Sequence, residues 1–410
     1  MARLFPLVVA VLLVCSLPAV AFPGVVNEPV ASEPRNQQTT FEEGAVEWLT
    51  LSDGPAASGD GYVTIDVGAT LDDDANRLES RYDDHRLDAR MEAADSDAER
   101  RAILREEESR LSQSVEQLRD REQAAYTGYY EGDHTERELL SELAIVHTNA
   151  VALDDSIATL EEHANDVSGV SLTDRIETME VETLTMQGPV RERVAEMLRG
   201  EADSTRAYVE TNGEGVILGV VDGGDYHREA HRIDHRNPDG ESQYGSLGQS
   251  EDRIEELYPS VFSDARWSYS EVGYGTHRGV GNHAQGSLTV YLDTATGEVY
   301  REFQTFDLGS TETTLIEEET DAGVDVTVSR TVPGGPAKVT LTDAGTDAPL
   351  SGEVALNNRT VGTTNEAGEV WFVAPRDSMT ITATVGSTEI ELAVSEDSAT
   401  ARSPSDEESS

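Results

Sequence analysis

The sequence predicts an α+β multidomain protein: a helical bundle or coiled coil, then an α+β module, then a small β-sandwich. Three observations carry that reading. Residues 71–131 contain no proline and a single glycine, Gly128. Between Leu139 and Ala164 apolar residues return every four and three positions, the spacing of a packed helical seam. After Gly200 the periodicity drops to two, and Gly, Asn and Asp separate short Val- and Thr-rich runs. That is the pattern of strands and turns.

The N-terminus comes first in chain order. Arg3 precedes an apolar stretch over residues 4–22 that closes on Ala19-Val20-Ala21, so residues 1–21 read as a signal peptide cleaved after Ala21. The expected location is extracytoplasmic, secreted or at the cell surface, with membrane contact only if this segment is retained. The chain's one cysteine, Cys15, would leave with it, which removes disulfides and thiolate chemistry from the mature protein. Residues 22–45, with Pro23, Pro29 and Pro34, read as a linker. Residues 46–69 form a short β segment with strand-like runs at 46–51 and 62–67.

Helices are expected near 72–94 and 97–130. Ser96 and Glu99 have capping-box spacing, and Asp73/Arg77, Asp97/Arg101 and Glu106/Arg110 sit four apart with the acid first. The next helix opens on the capping box Thr135 to Glu138. It carries the seam Leu139, Leu143, Val146, Ala150, Leu153, Ile157, Leu160 and Ala164. The preceding helix has a matching line: Leu104, Glu108, Leu111, Val115, Leu118, Glu122, Ala125 and Tyr129. A turn at Gly132-Asp133 would fold the two into an antiparallel hairpin. Leu172, Ile176, Met179 and Met186 continue the spacing, and Pro189 starts a last helix that ends at Gly200. No constellation of acids and histidines is expected inside 70–200, so this region reads as a spacer or interaction element whose seam could also join two copies.

Residues 205–308 read as an α+β module. It has a hairpin through Asp222-Gly223-Gly224, a helix near 250–262, a strand at 267–272, and a hairpin joining 287–292 to 298–306. Residues 323–395 read as the β-sandwich, and 396–410 as a disordered acidic tail.

Composition bounds the function. Eighty acidic residues face 30 basic ones, for a formal net charge of −50, and Lys338 is the only lysine. Nucleic acid binding needs clustered cations and is excluded as an expectation. Such self-repulsion is tolerable where salt shortens the Debye length to ~3 Å at 1 M, so the composition points to a protein working in molar salt.

The best candidate for chemistry is His227, His231 and His235, spaced by four, with Glu229 between them. Imidazoles and a carboxylate are a plausible transition-metal set. On a strand, however, the outer two lie ~26 Å apart, and Arg228, Arg232 and Arg236 would repel a cation. The expectation is an exposed polar strand edge with no metal, no cofactor and no catalytic residue. Gly273, Gly275, Gly279 and Gly281 read as a flexible hairpin loop. Asn358-Arg359-Thr360 is a glycosylation candidate at Asn358.

Three stretches carry resemblances. Leu78-Glu79-Ser80-Arg81-Tyr82 and Asp97-Ala98-Glu99-Arg100-Arg101 resemble the N-terminal half of an uncharacterised family of exported haloarchaeal proteins. Tyr226-His227-Arg228-Glu229-Ala230 and Tyr258-Pro259 resemble that family's middle domain. The hairpin from Val290 to Tyr300, with Asp293, Gly297, Glu298 and Val299, is similar to PepSY modules, which implies envelope roles or protease inhibition. Pro349-Leu350-Ser351-Gly352 and Thr363-Thr364-Asn365-Glu366-Ala367-Gly368-Glu369 resemble a carboxypeptidase regulatory-like β-sandwich, which implies adhesion or presentation. The resulting expectation is a non-enzymatic surface protein of a halophilic archaeon that meets a protein partner at the cell envelope. The alternatives are a regulator of an exported protease and, third, a metal-dependent enzyme built on the histidines.

Overall fold

The computed structural model describes residues 48–51, 55–259, 261, 265–331, 334–376 and 378–395. The expected signal peptide, linker and acidic tail lie outside the described residues. Among those described, no helix is long and apolar enough to cross a membrane.

Five helices follow one short strand: β1 (Ala57–Tyr62), α1 (Val67–Ala93), α2 (Asp97–Glu131), α3 (Glu136–Asn165), α4 (Thr173–Met186) and α5 (Pro189–Arg199). Their ends obey local chemistry. Asp66 accepts from the backbone N–H groups of Gly68 and Ala69 and starts α1. Thr135 and Glu138 form the reciprocal capping box of α3. Gly132 and Gly200 close α2 and α5 in the left-handed region. The expected hairpin forms from α2 and α3. Leu104, Leu111, Leu139, Leu143, Ile157 and Leu160 are sealed from solvent along it. The charge ladder is partly rerouted between helices: Glu106 pairs with Arg90 at 2.5 Å, and Arg110 reaches Glu107 and Asp83.

Of the strand-like run at 62–67 only Tyr62 lies in a strand, as the last residue of β1, and Asp66 already caps α1. Residues 48–51 make no strand pairing, and Leu49 gives its N–H to the Glu302 carboxylate at 2.8 Å.

β1 joins a larger antiparallel sheet with β2 (Arg206–Thr211), β3 (Gly215–Asp222), β4 (Asp225–Arg232), β5 (Arg266–Gly273), β6 (Thr276–His283), β7 (Gly286–Asp293) and β8 (Glu298–Asp307). The strand order is β1-β2-β3-β4-β8-β7-β6-β5. α6 (Leu247–Leu257) covers one face, while α2, α3 and α5 cover the other. Val190, Val194 and Leu143 share one core with Val209, Val216 and Leu218, so the helices and the sheet are a single packed body.

Two of the supposed loop glycines, Gly279 and Gly281, lie inside β6. A Cβ on Gly281 would stand 2.8 Å from the Trp267 ring, and one on Gly279 would stand 3.2 Å from both Trp267 and Tyr269. The bare strand therefore gives two stacked rings a surface to lie on.

The C-terminal sandwich pairs β14-β11-β10-β9 with β13-β12-β15-β16. Its strands are β9 (Thr314–Asp321), β10 (Val324–Arg330), β11 (Pro336–Asp343), β12 (Glu353–Leu356), β13 (Arg359–Thr363), β14 (Glu369–Val373), β15 (Met379–Val385) and β16 (Thr388–Val394). β9 precedes the expected start at 323. It is an acidic edge strand with only Ile316 buried, so it lacks a readable alternation. Arg359 meets Asp60 at 3.2 Å and Arg376 meets Glu210 at 3.2 Å, holding the sandwich against the sheet.

Candidate functional site

Among the described residues, a cluster of buried ionisable side chains lies where the helices meet the sheet. β4 pairs with β3 and β8 in mid-sheet. Residues 229 and 231 of β4 therefore point at the helices, together with Arg301 of β8, while 228, 230 and 232 point at α6. The expectation of an exposed strand edge is corrected: Glu229 is fully buried and His231 is 6% exposed. A central strand is covered on both faces, and its charges are admitted because each meets an opposite charge.

Arg191 of α5 is the hub and is fully buried. Its Nε donates to Glu229 Oε1 at 2.9 Å, Nη2 to the Tyr126 hydroxyl at 2.7 Å, and Nη1 to Met186 O at 2.9 Å and also to Glu122. Tyr126 donates to Glu122 Oε1 at 2.7 Å. The His231 ring lies 3.7 Å from that carboxylate. Arg301 donates to Gln187 O at 2.6 Å and approaches Glu229 Oε2 at 3.6 Å. Burial acts to raise the Glu122 carboxyl, but the Arg191 guanidinium, followed by His231, outweighs it and holds the group well below the carboxylate range. Desolvation lowers His231, against the pull of Glu122. Burial also lowers Arg301, reinforced by repulsion from Arg191.

Two residues complete the cluster. His147 of α3 accepts the Gly188 N–H on Nδ1 at 3.3 Å, which requires the neutral ring. Burial, then Arg191, pulls its pKa down to about 4. Gly188 leaves space for the Glu229 carboxylate: a Cβ there would sit 2.6 Å from Glu229 Cδ and 3.0 Å from Arg301 Nη2.

The other face of the same strands carries a second knot. Glu302 receives Arg228 at 2.5 Å, the Tyr258 hydroxyl at 2.7 Å and the Leu49 N–H at 2.8 Å. Burial raises the Glu302 carboxyl despite Arg228.

The histidines are not brought together. His227 Nδ1 is 3.2 Å from the Thr305 hydroxyl, His231 belongs to the Glu122 cluster, and His235 donates from Nδ1 to Val299 O at 2.7 Å. Glu229 faces two arginines rather than imidazoles. Among the described residues, no group of three or more His, Cys, Asp or Glu side chains is placed to hold a metal ion. Asn358 is exposed on a two-residue turn with φ of 64°. The hairpin that resembles PepSY modules has a local explanation: Asp293 Oδ1 accepts the N–H groups of Ala295 and Thr296, its Oδ2 takes Arg236, and Gly297 turns at φ 71°.

The expectation that 70–200 holds no constellation of acids and histidines is also corrected, since Glu122, Tyr126, His147 and Arg191 all come from it. A signal was present. Glu108 and Glu122 occupy core positions in an otherwise apolar line, and a carboxylate at such a position needs a buried partner.

Three family models match the chain in succession. Residues 1–203 match a domain of unknown function (DUF7096), residues 207–312 a family of unknown function (DUF7094), and residues 314–392 an archaeal fibronectin-III type-like domain. Together they fit an archaeal family of unknown activity with a C-terminal β-sandwich. The sandwich match is to the fibronectin-III type rather than to the expected carboxypeptidase regulatory-like type. No curated protein and no solved structure matches significantly. The boundary between the first two matches falls between α5 and β2, and the Arg191 cluster lies across it.

Proposed function

We propose that the protein is a non-enzymatic, exported interaction protein of a high-salt archaeal envelope, in which the braced helix–sheet body presents the fibronectin-type sandwich to a protein partner. One observation carries this reading. The side chains best suited to chemistry, Glu122, Tyr126, Arg191, Glu229 and Arg301, are all at most 2% exposed; the first four are joined by hydrogen bonds, and Arg301 donates to Gln187 O beside Glu229. A catalytic or metal centre must admit substrate or solvent, whereas this cluster sits in a close-packed interior. It acts as a lock that fixes how α2 and α5 seat on β4 and β8. The matches to three tandem modules, the last a fibronectin type, support a role in presentation. The acidic, lysine-poor composition supports the high-salt setting.

The test uses the full chain purified in molar salt. After dialysis against a chelator, metal analysis should find no stoichiometric transition metal. Pull-down from native envelopes should recover surface components in stoichiometric amount, and deletion of residues 314–395 should abolish recovery. A tightly retained ion would overturn the reading. Recovery of a protease whose activity falls on adding the chain would instead favour a regulatory role for the middle module.

A further inference from the structure

α1 packs one face against the other helices, burying Leu87 and Met91, and leaves a second apolar line uncovered. Asp73, Ser80, Leu87 and Ala94 fall seven apart and face the other helices. Asp73 is 3.6 Å from Arg199, while Leu87 and Ala94 enter the helical core. On the opposite side, Leu71, Ala75, Leu78, Tyr82, His85 and Ala89 step by 4, 3, 4, 3, 4, and every one is exposed. Leu71, Leu78 and Tyr82 are 63%, 70% and 66% exposed. Three large apolar side chains at heptad spacing on an otherwise charged helix are a seam without its partner. This is not the Leu139–Ala164 seam, which is consumed within the chain.

The charges beside this seam identify the occupant. Asp74, Arg81 and Asp88 flank it on one side, and Glu79 and Arg86 on the other. In a parallel pair each residue of the first flank meets the residue five positions on in its partner. Asp74 would then face the second copy's Glu79, and Arg81 would face its Arg86, both like-charged. Reversing one helix sets each flank against itself. With Leu71 beside Ala89 of the second copy, Arg81 then meets its Asp74 and Glu79 meets its Arg86, both opposite in sign. Arg86 and Asp88 remain 45% and 54% exposed despite local partners in Asp83, His85 and His163, so they are accessible for this.

We infer that α1 is a self-association surface, joining two copies of this chain through an antiparallel α1–α1 pair. The pairing is independent of the envelope role proposed above. It strengthens with salt, because two chains of charge −50 repel until that charge is screened.

Sedimentation equilibrium of the full chain in molar KCl tests this. The expected result is a dimer that dissociates as salt is lowered. Leu78→Glu and Tyr82→Glu each weaken it about tenfold or more, as loss of a buried apolar contact requires. Both positions are exposed in the single chain, so helix content by circular dichroism should not change. Orientation is read by spin labels in a Cys15→Ser background. A Leu71→Cys label should lie close to an Ala89→Cys label on the other copy, and far from a second Leu71→Cys label, by roughly the ~27 Å that separates these positions along the helix. A monomer at all salt concentrations, a dimer indifferent to both glutamates, or close 71–71 labels would each overturn the inference.

Discussion

Replacing Arg191 with methionine keeps most of the side chain's volume and removes its five donors. Glu122 and Glu229 then lose their shared cation. Glu122 retains Tyr126 at 2.7 Å and the His231 ring at 3.7 Å, and Glu229 retains only Arg301 at 3.6 Å. Removing one member of a buried pair costs about 3–5 kcal/mol, and the partial replacements place the expected loss within that range rather than at twice it. The loss should depend on pH. In the parent, Glu122 is held below its unfolded value, so its contribution is present above the carboxylate range and disappears as pH falls through it. In the variant, burial is left to raise the group, and protonation relieves the unpaired charge. The stability gap should therefore narrow as pH falls into and through the carboxylate range. Denaturant unfolding in molar salt measures it, with Arg191→Lys as an intermediate case if the methionine variant does not fold. A loss under ~0.5 kcal/mol, the range of surface substitutions, would refute the claim that the cluster is buried and mutually dependent.

Other expectations follow from the same geometry. Gly188→Ala drives a methyl into the Glu229 carboxylate and should cost about 1–3 kcal/mol, whereas Gly248→Ala, with nothing within 4 Å, should be neutral by the same assay. His147 has its folded pKa lowered to about 4 from 6.5. The unfolded chain thus takes up the proton first as pH falls, and stability present above 6.5 is lost progressively down to about 4. At ~1.4 kcal/mol per unit this is about 3 kcal/mol, and His147→Gln should flatten that part of the pH–stability curve. Gly281→Val collides with Trp267 and should destabilise by about 1–3 kcal/mol with a shift in tryptophan emission. Unchanged emission and stability would mean the ring does not lie on the bare strand.

Much of the helical region was legible because it obeys local rules. The seam from Leu139 to Ala164, the Thr135 capping box and Pro189 before Gly200 each specify a boundary or a buried face within a few residues. Strands set by distant partners were harder to read. β1 depends on pairing with β2, roughly 150 residues away. β6 is glycine-rich because Trp267 and Tyr269 lie across it, so glycine spacing suggested a loop. β9 hides its single buried Ile316 among carboxylates. The candidate site is half legible in the sequence: Glu229 and His231 belong to the His227, His231, His235 and Glu229 set, and Glu122 lies in the helical line beside apolar residues. Nothing in the local pattern joins Glu122 to Arg191 and Glu229, because that contact is made by packing α2 and α5 onto β4.

The central claim is that residues matched by two separate family models form one body locked by the Arg191 cluster. The most direct test follows unfolding of a Trp371→Phe chain by helical circular dichroism and by the fluorescence of Trp48 and Trp267, which report on the sheet. Coincident transitions with one midpoint, moved together by Arg191→Met, are expected. Helices that melt separately from the sheet, or an Arg191→Met chain in which only one signal shifts, would contradict the claim.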